Sequence, residues 1–147
     1  MQVELVKTFY FEAAHKNESG EPKQRRLHGH SYRVDLVVAG AVTSNFGWLM
    51  DYADIKEAFS PFYGLLDHGF LNDLSGMGGA LLPDVRLWIL ERLRERLPGL
   101  RDARVSIVGD CAFRPVVIPA DRHLPERVRF SFEAAQSLPQ LPETHPC

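Results

Sequence analysis

The sequence predicts an α+β domain, because its hydrophobic residues follow the period of strands at first and the period of helices later. Residues 3–14 and 30–42 alternate apolar and polar side chains, as half-buried strands do. After Gly47 the apolar residues recur every three or four positions, which is typical of helices packed on a core. With 147 residues, 45% of them hydrophobic, the chain is long enough for one globular domain.

Each element has its own local signals. Residues 16–26 are rich in Gly, Pro, Glu and Lys, which predicts a loop between the first two strands rather than a tight turn. Asp51 is suited to cap a first helix that reaches residue 66. A second helix is expected from about residue 84 to residue 97, where Pro98 and Gly99 stop it.

Two further strands are expected near the end of this domain. The first covers residues 104–109 and the second residues 112–118. Pro115 cannot donate to a strand ladder, so the second of these strands belongs at a sheet edge or a bulge.

Three histidines form a candidate metal site. His28 and His30 are two residues apart, so on a strand they point to the same face, and His15 ends the alternation of the neighbouring strand. Three imidazoles leave one position of a tetrahedral Zn²⁺ open for water or substrate, whereas structural zinc sites usually have four protein ligands. The pattern therefore predicts a catalytic zinc site, and a pair of solvated histidines is the alternative for the H-x-H spacing alone.

Composition excludes some classes of function. The net charge of −2 gives no general nucleic-acid footprint. The apolar stretches are too short to span a bilayer, and the N-terminus lacks a basic segment followed by an apolar run. Cys111 and Cys147 make neither a disulfide framework nor a C-x-x-C pair. We expect a cytoplasmic protein that contacts neither nucleic acid nor membrane and acts on a small molecule.

Four motifs in order resemble the 6-pyruvoyltetrahydropterin synthase and 6-carboxytetrahydropterin synthase family. They are FEAAH at residues 11–15, RLHGHSY at 26–32, GWLMDY at 47–52 and LDHGFLND at 66–73. The resemblance implies a tunnelling fold, with an antiparallel sheet, two helices on one face and a barrel-like homo-oligomer. It also implies Zn²⁺ on His15, His28 and His30, and an acid–base set of Cys, Asp and His whose last two members are Asp67 and His68.

A repeat near the C-terminus predicts the start of a second tandem copy. Residues 130–135 (FSFEAA) repeat residues 9–14 (FYFEAA) with one mismatch. We therefore divide the chain into a family-like domain at 1–120, a linker at 121–126, and the first strand and cysteine loop of an incomplete copy at 127–147. Convergence of two alternating strands is the other explanation of the match.

The two copies differ from the family pattern in complementary ways. Where the family has its cysteine, four residues before the HGH motif, the first copy has Gln24. The second copy has Cys147 in that position, but Gln136 replaces its zinc histidine. Cys147 would then serve with Asp67 and His68, either in a longer tandem chain or between subunits, because sites of this family lie where subunits meet. The alternative for Cys147 is an uninvolved terminal residue.

Substrate recognition also departs from the family. The position of the glutamate that anchors the pterin falls at Gly109, with Asp110 next to it, and glycine supplies neither charge nor directional hydrogen bonds. Three functions stay open on this basis. The first is a zinc-dependent lyase or cyclase acting on a pterin precursor or a diverged carbonyl compound. The second is a non-catalytic subunit that supports an active partner. The third and weakest is a zinc hydrolase, since H-E-x-x-H is absent and Glu12 is expected on the face opposite His15.

Overall fold

The computed structural model describes residues 1–42 and 47–109 and the backbone of residues 114–115 and 128–129. The strands are β1 (Gln2–His15), β2 (His28–Ala41), β3 (Gly69–Phe70), β4 (Leu100–Ile107), β5 (Arg114–Pro115) and β6 (Val128–Arg129). The helices are α1 (Tyr52–Leu66) and α2 (Leu82–Leu93), and a short 3₁₀ turn covers Leu71–Asp73.

One four-stranded sheet, in the order β3-β1-β2-β4, forms the body of the described chain. β1 and β2 are antiparallel over their whole length, from Gln2 opposite Ala41 to His15 opposite His28. β4 is antiparallel to β2, and β3 is parallel to β1. The sheet is therefore mixed, where an antiparallel sheet was expected.

The direction of α1 explains the parallel strand. The amine of Lys7 lies over the ring of Tyr52 at the start of α1, and the hydroxyl of Tyr63 near its end donates to the carbonyl of Tyr10 at 2.9 Å. α1 thus runs alongside β1 in the same direction. The chain that leaves α1 enters β3 without reversing, so β3 can only pair parallel to β1.

Both helices pack on the same face of the sheet, as expected. The rings of Phe11 and Tyr32 stack with their centroids 4.8 Å apart, and Phe9 meets Phe59 of α1 edge to face at 4.9 Å. α2 contributes Val85, Trp88, Ile89 and Leu93 to the same core. These apolar side chains alternate with exposed ones along β1, so the period read from the sequence is the period of burial.

The helix boundaries follow from local hydrogen bonds. Asp51 accepts from the backbone N–H of Ala53 at 2.8 Å, which confirms it as the cap of α1. α2 begins two residues before its expected start, where Asp84 accepts from the N–H of Leu81 at 3.0 Å. It ends at Leu93, and turns carry the chain on to Leu97, which is buried like a helical core residue. That burial is why the apolar period overestimated the length of the helix.

The C-terminal region is described at two short pieces of backbone. β5 and β6 pair antiparallel, with Arg114 opposite Arg129 and Pro115 opposite Val128. The rest of the predicted second copy, including Gln136 and Cys147, lies outside the described residues, and so does Asp110. The division into residues 1–120, 121–126 and 127–147 stays a prediction. Within the part of the chain that is described, no helix is both long and apolar enough to cross a membrane.

Two adjacent leucines of α1 test this core. Leu66 is completely buried, whereas Leu65 is half exposed. Leu66→Ala is expected to lower the free energy of unfolding by about 2–5 kcal/mol, because it leaves a cavity. Leu65→Ala serves as the matched control and should change it by less than about 0.5 kcal/mol. Urea denaturation measures both, and equal losses would contradict the described packing of α1.

Candidate metal centre

The register of β1 and β2 brings His15, His28 and His30 together at one end of the sheet. His15 lies opposite His28, and Ala13 lies opposite His30, so all three rings share the face that carries the core. The ring centroids are 4.4 Å apart for His15 and His28, 5.1 Å for His15 and His30, and 4.9 Å for His28 and His30. One nitrogen from each ring lies within 4.8 Å of the other two.

His15 is the buried member of this group. Its residue surface is only 6% exposed, and neither ring nitrogen meets hydrogen-bond geometry with a described group, although the Ala80 carbonyl faces the ring. Burial first, and then the neighbouring His28 and His30, lower the pKa of His15 from 6.5 to about 4, against a small opposing effect of the Ala80 backbone carbonyl. His15 is therefore neutral at physiological pH, which is the form that binds a metal ion. Leaving buried nitrogens without partners is costly, and an ion bound to one of them would remove part of that cost.

His28 is oriented by the backbone. Its Nδ1 lies 2.8 Å from the carbonyl oxygen of Arg26, and a carbonyl can only accept, so Nδ1 carries the proton. In the form of the ring that binds a metal, the lone pair is then on Nε2. A backbone carbonyl that fixes the tautomer in this way is the usual support of a metal-binding histidine. The ring of His30 meets Tyr32 edge on, with centroids 5.9 Å apart.

The three rings fit a metal ion with nitrogen ligands. Zinc–nitrogen bonds of about 2.0–2.1 Å in a tetrahedral site place nitrogens roughly 3.3 Å apart, so rings whose nitrogens lie within 4.8 Å need only a small closing movement. One of the two unpartnered nitrogens of His15 would bind the ion. Three protein donors leave a position open for water or a substrate oxygen.

Asp67 and His68 form a second polar group, at the edge of β1 that faces away from β2. Asp67 Oδ1 accepts from the backbone N–H of Glu12 at 3.0 Å and lies 3.2 Å from Nδ1 of His68. The N–H of His68 donates to the carbonyl of Glu12 at 2.6 Å. His68 has a left-handed backbone with φ of 58°, which is uncommon outside glycine, and 58% of its side chain is exposed.

Tyr63 lies beside this pair. Burial first, and then the negative charge of Asp67, raise the pKa of the Tyr63 hydroxyl, which therefore stays protonated and bound to the carbonyl of Tyr10. His68 does not belong to the group of three histidines. The pair is attached to the outer edge of β1, whereas His28 and His30 lie on β2, which pairs with the other edge of β1. Glu12, the carboxylate considered for a hydrolase, is exposed on the opposite face from His15 and accepts from Ser31 at 2.8 Å.

Gln24 has a structural part in the loop between β1 and β2. Its carbonyl accepts from the N–H of Asn17 at 2.9 Å, and its Oε1 accepts from the N–H of Glu21 at 3.0 Å. The side chain at the position where the resemblance implies a cysteine therefore closes a turn. No thiol is present in residues 16–27 to replace it.

Gly109 lies opposite His30, at the end of the segment that pairs with β2. The pairing of Tyr32 with Ile107 is continued by a hydrogen bond from the N–H of Val108 to the carbonyl of Ser31 at 2.7 Å, so Gly109 is the next residue in register. Its φ of 88° is in the region that favours glycine. The chain thus has no carboxylate at the described position next to His30.

Sequence reasoning missed the contribution of Ala80. Ala80 is completely buried at a φ of 55°, with its carbonyl facing His15. The segment that leads to it is anchored at Ser75, whose carbonyl accepts from Trp88 Nε1 at 3.1 Å and from Arg92 at 2.6 Å. The only sequence signal was a cluster of glycines at positions 76, 78 and 79, which indicated a loop but not what it faces.

The sequence model of a family described as 6-pyruvoyl tetrahydropterin synthase matches residues 4–111. This chain belongs to that family. It is 37% identical over 107 residues to the 6-carboxy-5,6,7,8-tetrahydropterin synthase of Synechocystis sp., a match that covers 69% of the chain and 83% of the relative. It is 32% identical over 99 residues to the dihydroneopterin monophosphate aldolase of Pyrococcus furiosus, covering 67% and 82%.

A solved structure agrees on the fold. The 6-pyruvoyl tetrahydropterin synthase of Caenorhabditis elegans superposes with a TM-score of 0.61 at 19% identity, covering 73% of this chain and 96% of that one. The family and the α+β tunnelling fold expected from the four motifs are thereby confirmed. The related sequences are pterin-processing enzymes, which supports an enzymatic role for this chain.

Removal of one histidine tests the metal centre. We expect about one zinc ion per chain, and we expect His28→Ala to lose most of it, because two imidazoles hold zinc weakly. His68→Gln is the matched control and should keep its zinc, since His68 lies outside the group. Metal analysis after gel filtration measures this. Equal zinc content in wild type and His28→Ala would remove these histidines from the site.

The burial of His15 predicts a pH dependence of the metal-free protein. Its pKa is about 4 in the folded state and 6.5 ordinarily, so the unfolded chain binds the extra proton as the pH falls between these values. Lowering the pH from 7 to 5 should therefore reduce the free energy of unfolding in both proteins by different amounts. The reduction in wild type should exceed that in His15→Asn by about 2 kcal/mol. Urea denaturation at both pH values measures the difference. An equal loss in both proteins would show that His15 is not held neutral by burial.

Proposed function

We propose that this protein is a cytoplasmic, zinc-dependent lyase that acts on the side chain of a dihydropterin. The observation that carries the proposal is His15, a buried histidine with no hydrogen-bond partner for either nitrogen, beside two more histidines on the same face. Stability alone does not favour such a group. A zinc ion held by His15, His28 and His30 would bind one of the two His15 nitrogens, and the relatives at 37% and 32% identity are named as pterin enzymes.

Zinc bound there would supply a Lewis acid that makes a hydroxyl or carbonyl group of the substrate side chain more reactive. The residues of the chain fix its surroundings. His28 is held in the tautomer that presents Nε2, and His15 is kept neutral by burial. The core below the histidines keeps water away from one side of the site, so substrate has to approach from the open side.

Asp67 and His68 would move the proton. Asp67 faces Nδ1 of His68 and is itself held by the backbone of Glu12, so the pair has a fixed orientation. An imidazole with its Nδ1–H on a carboxylate has Nε2 available to take a proton from the substrate and later return it. The exposure of His68 lets a substrate reach it.

The location of these groups favours a site completed by another copy or domain. The Asp67–His68 pair is attached to the outer edge of β1, whereas His28 and His30 lie on β2, and the loop carries Gln24 where a thiol is expected. We propose that the chain forms a homo-oligomer or tandem assembly in which a second copy faces the histidine group. Cys147 would contribute the missing thiol.

The names of the relatives suggest two different reactions, so they do not identify which bond of the substrate is cleaved. One is named a carboxytetrahydropterin synthase and the other an aldolase, so the same fold serves different reactions of a pterin side chain. Gly109 beside His30 also admits a diverged carbonyl substrate, because the anchoring carboxylate is absent there.

A non-catalytic supporting subunit is the second candidate. It is favoured by one observation, namely that Gln24 is built into the loop by two hydrogen bonds and so has a structural use in place of a catalytic one. Zinc binding does not separate the two candidates. Turnover that depends on His68 does.

We therefore predict that the zinc-loaded protein converts dihydroneopterin monophosphate, with the pterin products followed by chromatography and fluorescence. His68→Gln should lower kcat by roughly 10²–10⁴-fold, the usual contribution of general acid–base catalysis, while keeping its zinc. Leu65→Ala is the control for protein preparation and folding, because Leu65 is half exposed and lies at the end of α1, three residues before His68.

The result decides between the candidates. Turnover by wild type that His68→Gln leaves unchanged would remove the Asp67–His68 pair from the mechanism. No conversion by zinc-loaded wild type of this pterin or of a simple hydroxyketone would favour the supporting subunit.

A further inference from the structure

The side chain of Asn72 holds the peptide that follows His15. Its Oδ1 accepts from the backbone N–H of Lys16 at 2.8 Å, and its Nδ2 donates to the carbonyl of Lys16 at 3.0 Å. One side-chain amide thus satisfies both backbone groups of one residue. Asn72 lies 56 positions away in the sequence, so this contact ties the end of β1 to a distant segment.

The contact occurs where regular strand pairing stops on both sides. β3 pairs with Ala13 and Ala14 and then turns into the 3₁₀ segment Leu71–Asp73. The pairing of β1 with β2 ends at His15 and His28. Lys16 would therefore be the first residue of the loop without a strand partner, and Asn72 takes the place of one.

Only a primary amide fits both positions. The N–H of Lys16 needs an acceptor and its carbonyl needs a donor, and asparagine offers both in one plane. Aspartate has nearly the same shape, but it would place a negative oxygen against the carbonyl of Lys16. Leucine has a similar volume and would leave both groups without partners.

The contact between Asn72 and Lys16 affects the orientation of His15. Its backbone is held by His28 on one side, and the peptide bond that it shares with Lys16 is held by Asn72 on the other. The direction of the His15 side chain depends on both. The loop that starts at Lys16 and returns at His28 would otherwise pull on this residue first, because strand ends fray.

We propose that Asn72 is a positioning residue for the metal centre, acting through Lys16 to hold His15 in the orientation that binds the ion. This inference rests on the proposed function, since it assumes that His15 is a metal ligand. Outer contacts of this kind commonly change metal affinity by about 10–100-fold when they are removed.

Zinc affinity and backbone exchange are to be measured on the full chain of wild type, Asn72→Asp and Asn72→Leu. Competition with a chromophoric chelator gives the zinc affinity, which should fall about 10–100-fold in both variants. Hydrogen exchange of metal-free Asn72→Leu should show the Lys16 amide exchanging roughly 10-fold faster, whereas Asn72→Asp keeps the acceptor for this amide and should not. The visible spectrum of the cobalt-substituted variants should differ from that of wild type, because the geometry of the ligands changes.

Asn17→Asp is the matched control. It adds the same charge one residue after Lys16, where the Asn17 side chain accepts only from Ser19 in the described contacts, at 3.1 Å. Its zinc affinity and cobalt spectrum should stay within about twofold of wild type. A fall equal to that of Asn72→Asp would show that charge alone is responsible and would overturn the proposal.

The remaining outcomes separate this inference from the function on which it rests. Wild type that binds neither zinc nor cobalt overturns both. Wild type that binds zinc, with Asn72 variants that bind it equally tightly, overturns only the positioning role, even if their Lys16 amide exchanges faster. Unchanged exchange at Lys16 in Asn72→Leu overturns the contact itself. Asn72→Asp keeps the bond from the Lys16 N–H and loses the bond to the Lys16 carbonyl, so its zinc affinity and cobalt spectrum provide the test if Asn72→Leu does not fold.

Discussion

The register between β1 and β2 is the constraint on which the rest of the structure depends. A shift of one residue would turn every side chain of one strand to the opposite face. It would expose the aromatic residue Phe11, which stacks on Tyr32, and it would turn His15 away from His28. The core and the candidate metal centre are therefore specified together. The apolar packing that stabilises the sheet also determines which histidines can meet at its end.

At the candidate metal centre, the register of β1 places a polar side chain, His15, in a buried position. His15 occupies a position that the alternation of β1 assigns to the core, yet its two nitrogens have no partner among the described residues. A Phe or Leu at this place would satisfy the same pattern and bury no polar atom. Conflicts between local rules and the residue present are expected at functional sites. The buried histidine is thus more informative about function than His28 and His30, which are partly exposed.

Much of this could be predicted from the sequence, because both signals are local. The period of apolar residues predicted β1, β2 and α1, and the spacing of His28 and His30 placed them on one face. The sequence did not predict the parallel β3, because its direction depends on how α1 lies along β1. It also gave no indication that Ala80 faces His15 or that Asn72 holds Lys16, since these contacts join segments far apart in the chain. The apolar period also overestimated the length of α2, because Leu97 is buried although it lies beyond the end of the helix.

β1 connects the two polar groups of the proposed site. The backbone of Glu12 holds Asp67 and His68 at one edge, and three residues later His15 turns to the histidine group. Because a paired strand is stiff, β1 fixes the spacing between these groups, and Asn72 holds the first residue of the loop that follows. That loop carries Gln24 in place of a thiol and closes on itself by hydrogen bonds. The architecture thus allows the loop residues after Lys16 to change while the histidines and the Asp67–His68 pair keep their positions on β1 and β2 and at the edge of β1.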